Sequence, residues 1–239
     1  MRIIGIIPAR GGSKGVPRKN LAPVAGRPLL AYTAAAALGA PSLARVILST
    51  EDQEIAAVGR ACGLDVPFLR PAALAEDATP TLPVIQHAIG ELEAAGEQVD
   101  AICLLQPTNP LRTAADIEGA VRMFAETGAE TVISVLAVPH QYNPHWVYLE
   151  GEGGALRLAT GEAAPIARRQ LLPPAVHREG SIYLVRRDVV MAQPGSLYGA
   201  TVRGYLMEAA RSVNIDRVED LERAAQLLLM AEQAAASAC

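Results

Sequence analysis

The chain has 239 residues, 51% of them hydrophobic but only 4% aromatic, and a formal net charge of −4. That length fits one larger α/β domain, or one domain with an appended arm, on a prior of roughly 100–200 residues per domain, and the small-aliphatic composition suits a sheet covered by alanine-rich helices. The acidic balance argues against general nucleic-acid binding, and no apolar stretch reaches the roughly 20 residues of a membrane span. Cys62, Cys103 and Cys239 are an odd number with no C-x-x-C spacing, and no signal-peptide pattern precedes the first hydrophobic run, so the sequence predicts a reduced, cytoplasmic protein.

The first strand is expected near residues 2–7 and runs into Pro8-Ala-Arg-Gly-Gly-Ser-Lys-Gly-Val-Pro-Arg-Lys-Asn20. Only two of the 21 basic residues are lysines, Lys14 and Lys19, and both lie in this loop beside Arg10 and Arg18, with no acidic residue before Glu51. Gly11, Gly12 and Gly15 free the backbone for positive φ and close approach to a ligand, and consecutive N–H groups in such a loop make an anion-binding concavity. The loop has neither G-x-x-x-x-G-K-[ST] nor G-x-G-x-x-G, so it is neither an ordinary P-loop nor a dinucleotide fingerprint. The pattern points to a polyanion site; a basic surface loop of no function is the bland alternative.

A helix is expected near 27–38, then a strand over Arg45-Val-Ile-Leu-Ser49, with Thr50-Glu-Asp-Gln53 as a capping box for a helix that stops at Gly63. Residues 82–95 place Val84, Ile85, Ala88, Ile89 and Leu92 on one helical face, and Ala101-Ile-Cys-Leu-Leu105 reads as a buried strand. Gln106-Pro-Thr-Asn-Pro-Leu-Arg112 is a rigid turn, after which Thr113 with Asp116 caps the next helix. Strands alternating with helices predict a mostly parallel sheet, and because functional loops gather at the carboxyl ends of such strands, the basic loop and the Gln106 turn should share one crevice.

From about 137 to 177 the alternation fades among prolines and glycines, which predicts an arm or small subdomain that must cover Trp146 and its apolar neighbours. Regular structure is expected to resume with Gly180-Ser-Ile-Tyr-Leu-Val185 and to end in an amphipathic helix over about 218–233, with Arg211-Ser-Val-Asn-Ile-Asp216 between them. His87, His140 and His145 lack the spacing of a helical metal pair, and Trp146 reads more readily as packing than as a stacking platform.

Pro8 to Asn20, Gln106 to Arg112, Arg168 to Pro173 with Gly180 to Tyr183, and Ser212 to Asp216 with Asp220-Leu221 resemble, in order and over essentially the whole chain, the successive motifs of the acylneuraminate cytidylyltransferases. The resemblance implies a single Rossmann-like nucleotidyltransferase domain over 1–239, with 137–177 as a dimerisation arm, in a homodimer. It implies transfer of CMP from CTP to the anomeric hydroxyl of a nonulosonic acid with Mg²⁺, for surface glycans such as lipopolysaccharide or capsule. Arg10, Gly11, Gly12, Ser13 and Lys14 would hold the phosphates, Lys19 and Asn20 would lie by the α-phosphate and nucleoside, and Thr81 would lie on the nucleotide side. Gln106, Arg169, Gln170, Glu179 and Tyr183 would face the sugar acid, with Arg169 and Gln170 reaching from the arm.

Asp216 would bind the metal with Asn214, which stands where the family commonly has a second aspartate; an Asx turn capping the last helix is the other reading of that segment. Glu179 replaces a common Asn, and the His145-Trp146 neighbourhood replaces an arm lysine, which implies a different nonulosonic acid, such as a legionaminic or pseudaminic relative. Two further alternatives stay open: another sugar or pterin nucleotidyltransferase of related fold, and a non-catalytic CTP-binding homologue.

Overall fold

The computed structural model describes residues 1–237. In chain order the elements are β1 (Ile3–Pro8), the two-residue strands β2 (Pro23–Val24) and β3 (Arg27–Pro28), α1 (Leu29–Leu38), β4 (Arg45–Ser49), α2 (Gln53–Ala61), α3 (Thr81–Ala94), β5 (Ala101–Leu105) and α4 (Ala114–Thr127). There follow β6 (Thr131–Ala137), β7 (Tyr148–Glu150), β8 (Leu156–Leu158), β9 (Val176–Arg186), α5 (Arg187–Met191), β10 (Val202–Leu206) and α6 (Val218–Ser237). Six strands form the central sheet in the order β10-β6-β9-β5-β1-β4. β1 pairs in parallel with β4 and β5, β6 pairs in parallel with β10, and β9 alone runs antiparallel, between β5 and β6. The sheet is therefore mostly parallel, as the alternation predicts.

Both faces of the sheet are covered at its centre, which is why β1 and β5 are continuous apolar runs rather than alternating ones. Ile3, Ile7, Leu48, Cys103 and Leu105 pack against Leu30 and Ala34 of α1, Ile55 of α2 and Ile117 and Phe124 of α4. Ile4, Ile6, Ile47, Ile102 and Leu104 face Ile85, Ile89 and Leu92 of α3 and Val190. A third, smaller core lies under the crevice: Val16 of the basic loop, Leu111 of the Gln106 turn, and Val213 and Ile215 meet Ala224 of α6. Three segments that the sequence singles out are thus held on one apolar base.

Several expectations need correction. Asp52, not Thr50, caps α2: its Oδ1 accepts from the N–H groups of Glu54 and Ile55, both at 3.0 Å, while Thr50 Oγ1 accepts from Asp52 N. The capping box of α4, Thr113 with Asp116, is present. β6 and β10 have no counterpart among the expected strands, and β9 begins four residues before Gly180. Cys62 and Cys103 are free thiols, and burial pushes Cys103 up to about 12; Cys239 lies outside the described residues.

The arm leaves the sheet after β6 and carries short helical turns and the β7–β8 hairpin. It folds on itself through Trp146 Nε1, which donates to Ile166 O at 2.6 Å, and Asn143 Nδ2, which donates to Pro173 O at 2.9 Å. Tyr142, Leu156 and Leu171 remain exposed upon it. Among the described residues no helix is long and apolar enough to cross a membrane.

Candidate active site

At the carboxyl edge of β1, β4 and β5 the basic loop, the 70–81 segment, the Gln106 turn and Asp216 enclose a cavity of about 440 Å³. Of the residues the sequence puts forward, Arg10, Ser13, Lys14, Lys19, Asn20, Thr81, Gln106 and Asp216 line it. The basic loop and the Gln106 turn do share one crevice.

Within the loop the four cations separate. Arg10 Nη1 donates to Glu76 O at 2.9 Å and its Nη2 lies 3.1 Å from Asp77, while Lys14 Nζ lies 2.9 Å from the same carboxylate. The Lys14 ammonium, with Arg10 behind it, holds the Asp77 carboxyl below the usual range. Lys19 turns inward: its Nζ donates to Ile215 O at 2.7 Å and stands 3.5 Å from Asp216 Oδ1. Arg18 faces the other way, paired with Asp52 and Glu54, and so takes no part in the cavity.

Gly11 and Gly12 stand between Arg10 and Ser13 but do not themselves line the cavity. The N–H of Gly11 donates to Glu51 Oε1 at 2.7 Å, which fixes the start of the loop. Gly15 makes the close approach: a Cβ there would stand 2.1 Å from Asp216 O, so only glycine lets the loop touch the 212–216 segment. Asn20 is buried; its Nδ2 donates to Arg10 O at 3.0 Å, and its Oδ1 has no hydrogen-bond partner among the described residues. The α3 N-terminus, which carries Thr81, opens on the cavity without a side-chain cap, and free N–H groups there favour an anion.

Arg70 was missed from the sequence. It lines the cavity, is 4% exposed, and donates to Glu51 Oε2 at 2.7 Å. Burial lowers its affinity for protons, partly offset by Glu51 and reinforced by Arg10. A lone arginine before a proline carries no local motif, so only the fold could bring it to the loop.

Asp216 projects at the rim, with its side chain 65% exposed; its Oδ2 accepts from Asn214 Nδ2 at 2.5 Å, and its N–H donates to Asp220 Oδ2 at 2.9 Å. The same Asp220 Oδ2 accepts from Arg217 N at 2.8 Å, so a carboxylate in the first turn of α6 reaches back to the backbone before the helix, in place of the expected Asx turn by Asn214 or Asp216. Among the described residues no group of three or more His, Cys, Asp or Glu side chains could hold a metal. One rim carboxylate is nevertheless a donor set that suits Mg²⁺, which keeps several waters and takes one or two carboxylates with substrate phosphates.

The remaining residues expected at the sugar acid do not line the cavity. Tyr183 lies in the core between β5 and β6, its ring edge-on to Tyr198, and burial pushes its phenol up to about 12. Glu179 is turned into the protein, where Ser134, Ser181, Asn109 and Ser212 all donate to it. Burial pushes its carboxyl up, but these hydrogen bonds outweigh that and keep it ionised. Arg169 and Gln170 sit exposed on the arm, away from the cavity of their own chain. Among the histidines, His87 packs edge-on to Phe68 and His145 pairs with Glu162.

A mostly parallel sheet with an arginine- and lysine-lined glycine loop at its carboxyl edge defines a nucleotide-handling α/β protein. A family model described as cytidylyltransferase matches residues 4–236, and the chain belongs to that family of nucleotidyltransferases. It is 30% identical to the CMP-N,N'-diacetyllegionaminic acid synthase of Legionella pneumophila, over 98% of this chain and 99% of that one. It is 28% identical to a pseudaminic acid cytidylyltransferase of Campylobacter jejuni, over 93% and 94%. The solved structure of CMP:2-keto-3-deoxy-manno-octonic acid synthetase complexed with CTP superimposes with a TM-score of 0.72 at 18% identity, covering 98% of this chain and 100% of the other, and so shares the fold.

Proposed function

We propose that this protein transfers CMP from CTP to the anomeric hydroxyl of a nonulosonic acid. The hydroxyl oxygen forms a bond to the α-phosphorus and gives up its proton, the bond from that phosphorus to the oxygen bridging to the β-phosphate breaks, and pyrophosphate leaves. The observation that carries this reading is the convergence of Arg10, Lys14, Lys19 and Arg70 with Gln106 and Asp216 on one cavity. Such transfer needs positioning and charge neutralisation more than covalent help.

In this reading Arg10, Ser13 and Lys14, with the Gly12 backbone, hold the β- and γ-phosphates, while the Gly11 N–H stays with Glu51 and fixes the loop. Lys19 and Asn20 face the α-phosphate and nucleoside, Thr81 the nucleotide, and Gln106 the sugar acid. Asp216, with Asn214 beside it, holds Mg²⁺, which adds positive charge at the phosphates. The names of the Legionella and Campylobacter relatives support a legionaminic- or pseudaminic-type acid; in this reading the reaction runs in the cytoplasm and its product serves surface glycans. Glu179 and Tyr183 act from behind the cavity wall. The exposed apolar arm pairs two chains into a homodimer, and Arg169 and Gln170 reach the partner subunit's cavity.

The test is pyrophosphate release by the purified protein with CTP and Mg²⁺ against a panel of nonulosonic acids and the eight-carbon acid, with Lys19→Ala as control. Release that depends on one acid and is lost in the control is expected. CTP binding with no release from any acid would sink the catalytic reading. Sedimentation of a variant lacking the β7–β8 hairpin, expected as a monomer, tests the arm.

A further inference from the structure

The antiparallel strand β9 is irregular where it pairs with β6. Its register against β6 shifts between Ile133 and Val135, and Gly180 stands at φ +94, so a bulge turns Ser134 and Glu179 toward each other inside the sheet edge. Five donors meet the Glu179 carboxylate there. Oε2 accepts from Ser134 Oγ at 2.6 Å, Ser181 N at 2.9 Å and Ser181 Oγ at 2.6 Å. Oε1 accepts from Asn109 Nδ2 at 2.9 Å and Ser212 Oγ at 3.3 Å.

The five donors belong to four residues, each in a different segment. Ser134 is on β6 and Ser181 on β9; Asn109 is in the turn that starts with Gln106; Ser212 heads the segment that ends in Asp216. Asn109, 1% exposed, also donates to Arg211 O at 3.3 Å and accepts from Leu111 N at 3.0 Å, so it locks both the turn and the next segment. Ile215 N then donates to Thr108 O at 2.9 Å, and Ile215 O receives Lys19. Buried Arg112 closes the ring from the other side, its Nη1 donating to Gln106 O at 3.1 Å and Ser181 O at 2.7 Å.

We infer that Glu179 is a positioning residue: its buried carboxylate fastens the Gln106 turn and the Ser212–Asp216 segment to the sheet and so sets Gln106, Asp216 and Lys19 relative to one another. The inference rests on the proposed CMP transfer for its kinetic part and on hydrogen bonding alone for its structural part. An anion suits this place because its four neighbours turn five donor groups on it, and a carboxylate offers only acceptors. A carboxamide cannot replace it, since its NH2 would face the Asn109 NH2, whose amide oxygen is already engaged by Leu111 N.

The experiment compares wild type, Glu179→Gln and Glu179→Gln with Asn109→Asp, which reverses donor and acceptor across that one contact. Amide hydrogen exchange is read for residues 106–112 and 212–216, and kcat and KM are read by pyrophosphate release for several nonulosonic acids. Exchange in both segments is expected to quicken in Glu179→Gln, and kcat to fall by at least about tenfold, by the same factor for every acid, because a shift of about 1 Å in positioned groups costs up to about 100-fold. The KM for CTP should move less than kcat, since in this reading Arg10, Ser13 and Lys14, which hold the β- and γ-phosphates, make no hydrogen bond to the Glu179 network. The double variant should recover part of both, since Asn109→Asp also removes the bond to Arg211 O. Unchanged exchange, or an effect confined to the KM of one acid, overturns the inference in favour of direct substrate contact. A wild type that releases no pyrophosphate defeats the proposed function instead, and exchange still decides the role of Glu179. Should Glu179→Gln fail to fold, Ser212→Ala removes a single donor: faster exchange in 212–216 with lower kcat is expected, and unaltered values of both overturn the inference.

Discussion

Gly15→Ala is the sharpest perturbation that the site offers. The added methyl would stand 2.1 Å from Asp216 O, whereas real Cβ atoms stay beyond 3.0 Å, and the obstacle is backbone rather than a flexible side-chain end. The loop and the 212–216 segment must therefore part by about 1 Å, a displacement that costs about 100-fold in rate when it separates reacting groups. Neither side yields freely, because Lys19 bonds Ile215 O and Ile215 N bonds Thr108 O. The cost to stability should be only about 1–3 kcal/mol, the range for a forced methyl elsewhere, since the contact lies at the cavity rim and not in either main core. Initial rates of pyrophosphate release and urea unfolding on the same preparation measure the two effects. A variant with near wild-type kcat/KM would refute the argument that the loop and Asp216 act as one fixed unit.

Asp77 pairs with both Arg10 and Lys14, so a triphosphate held by those cations must compete with it; Asp77→Asn is expected to tighten CTP binding severalfold by calorimetry, and weaker binding would show that Asp77 helps to hold the nucleotide. Arg211 pairs bidentately with Asp116, at 2.7 and 3.0 Å. Burial pushes the Asp116 carboxyl up, but Arg211 and Thr113 outweigh it and leave it below the ordinary value. A depressed carboxylate contributes stability that is present above about pH 4 and is lost as pH falls through the lower folded value. Arg211→Gln should therefore cost about 2 kcal/mol at pH 7, after allowance for solvent at the half-buried guanidinium, and the gap to wild type should close in strongly acidic urea titrations. A gap that stays constant with pH would remove the ion pair from the explanation.

The parts legible in the sequence are those with local causes. β4 and β5 are short uninterrupted apolar runs, and the capping box of α4 is a three-residue pattern. The basic loop stands out by charge and glycine alone. The edge strand β10 did not, because Val202-Arg-Gly-Tyr-Leu206 is mostly exposed and alternates too weakly to signal a strand. β6 was hidden by running straight into the proline-rich arm. The cavity was half legible: Arg10, Lys14, Lys19, Gln106 and Asp216 come from motifs, whereas Arg70 reaches it through a loop without one. Glu179 shows the limit most clearly, since residue type and neighbours suggest a surface ligand while a bulge and Gly180 send it inward.

The antiparallel course of β9 has a consequence for how this scaffold can change. β6 and β9 are sheet neighbours running in opposite senses, joined by everything between Ala137 and Val176, and Val138 N donates to Ala175 O at 2.9 Å across the neck. The arm is in effect the overgrown tip of one hairpin, opening at the same edge as the cavity. Residues can be gained, lost or exchanged in that tip without altering the register of any core strand. A single scaffold can thus carry one fixed nucleotide wall and one freely rewritten lobe.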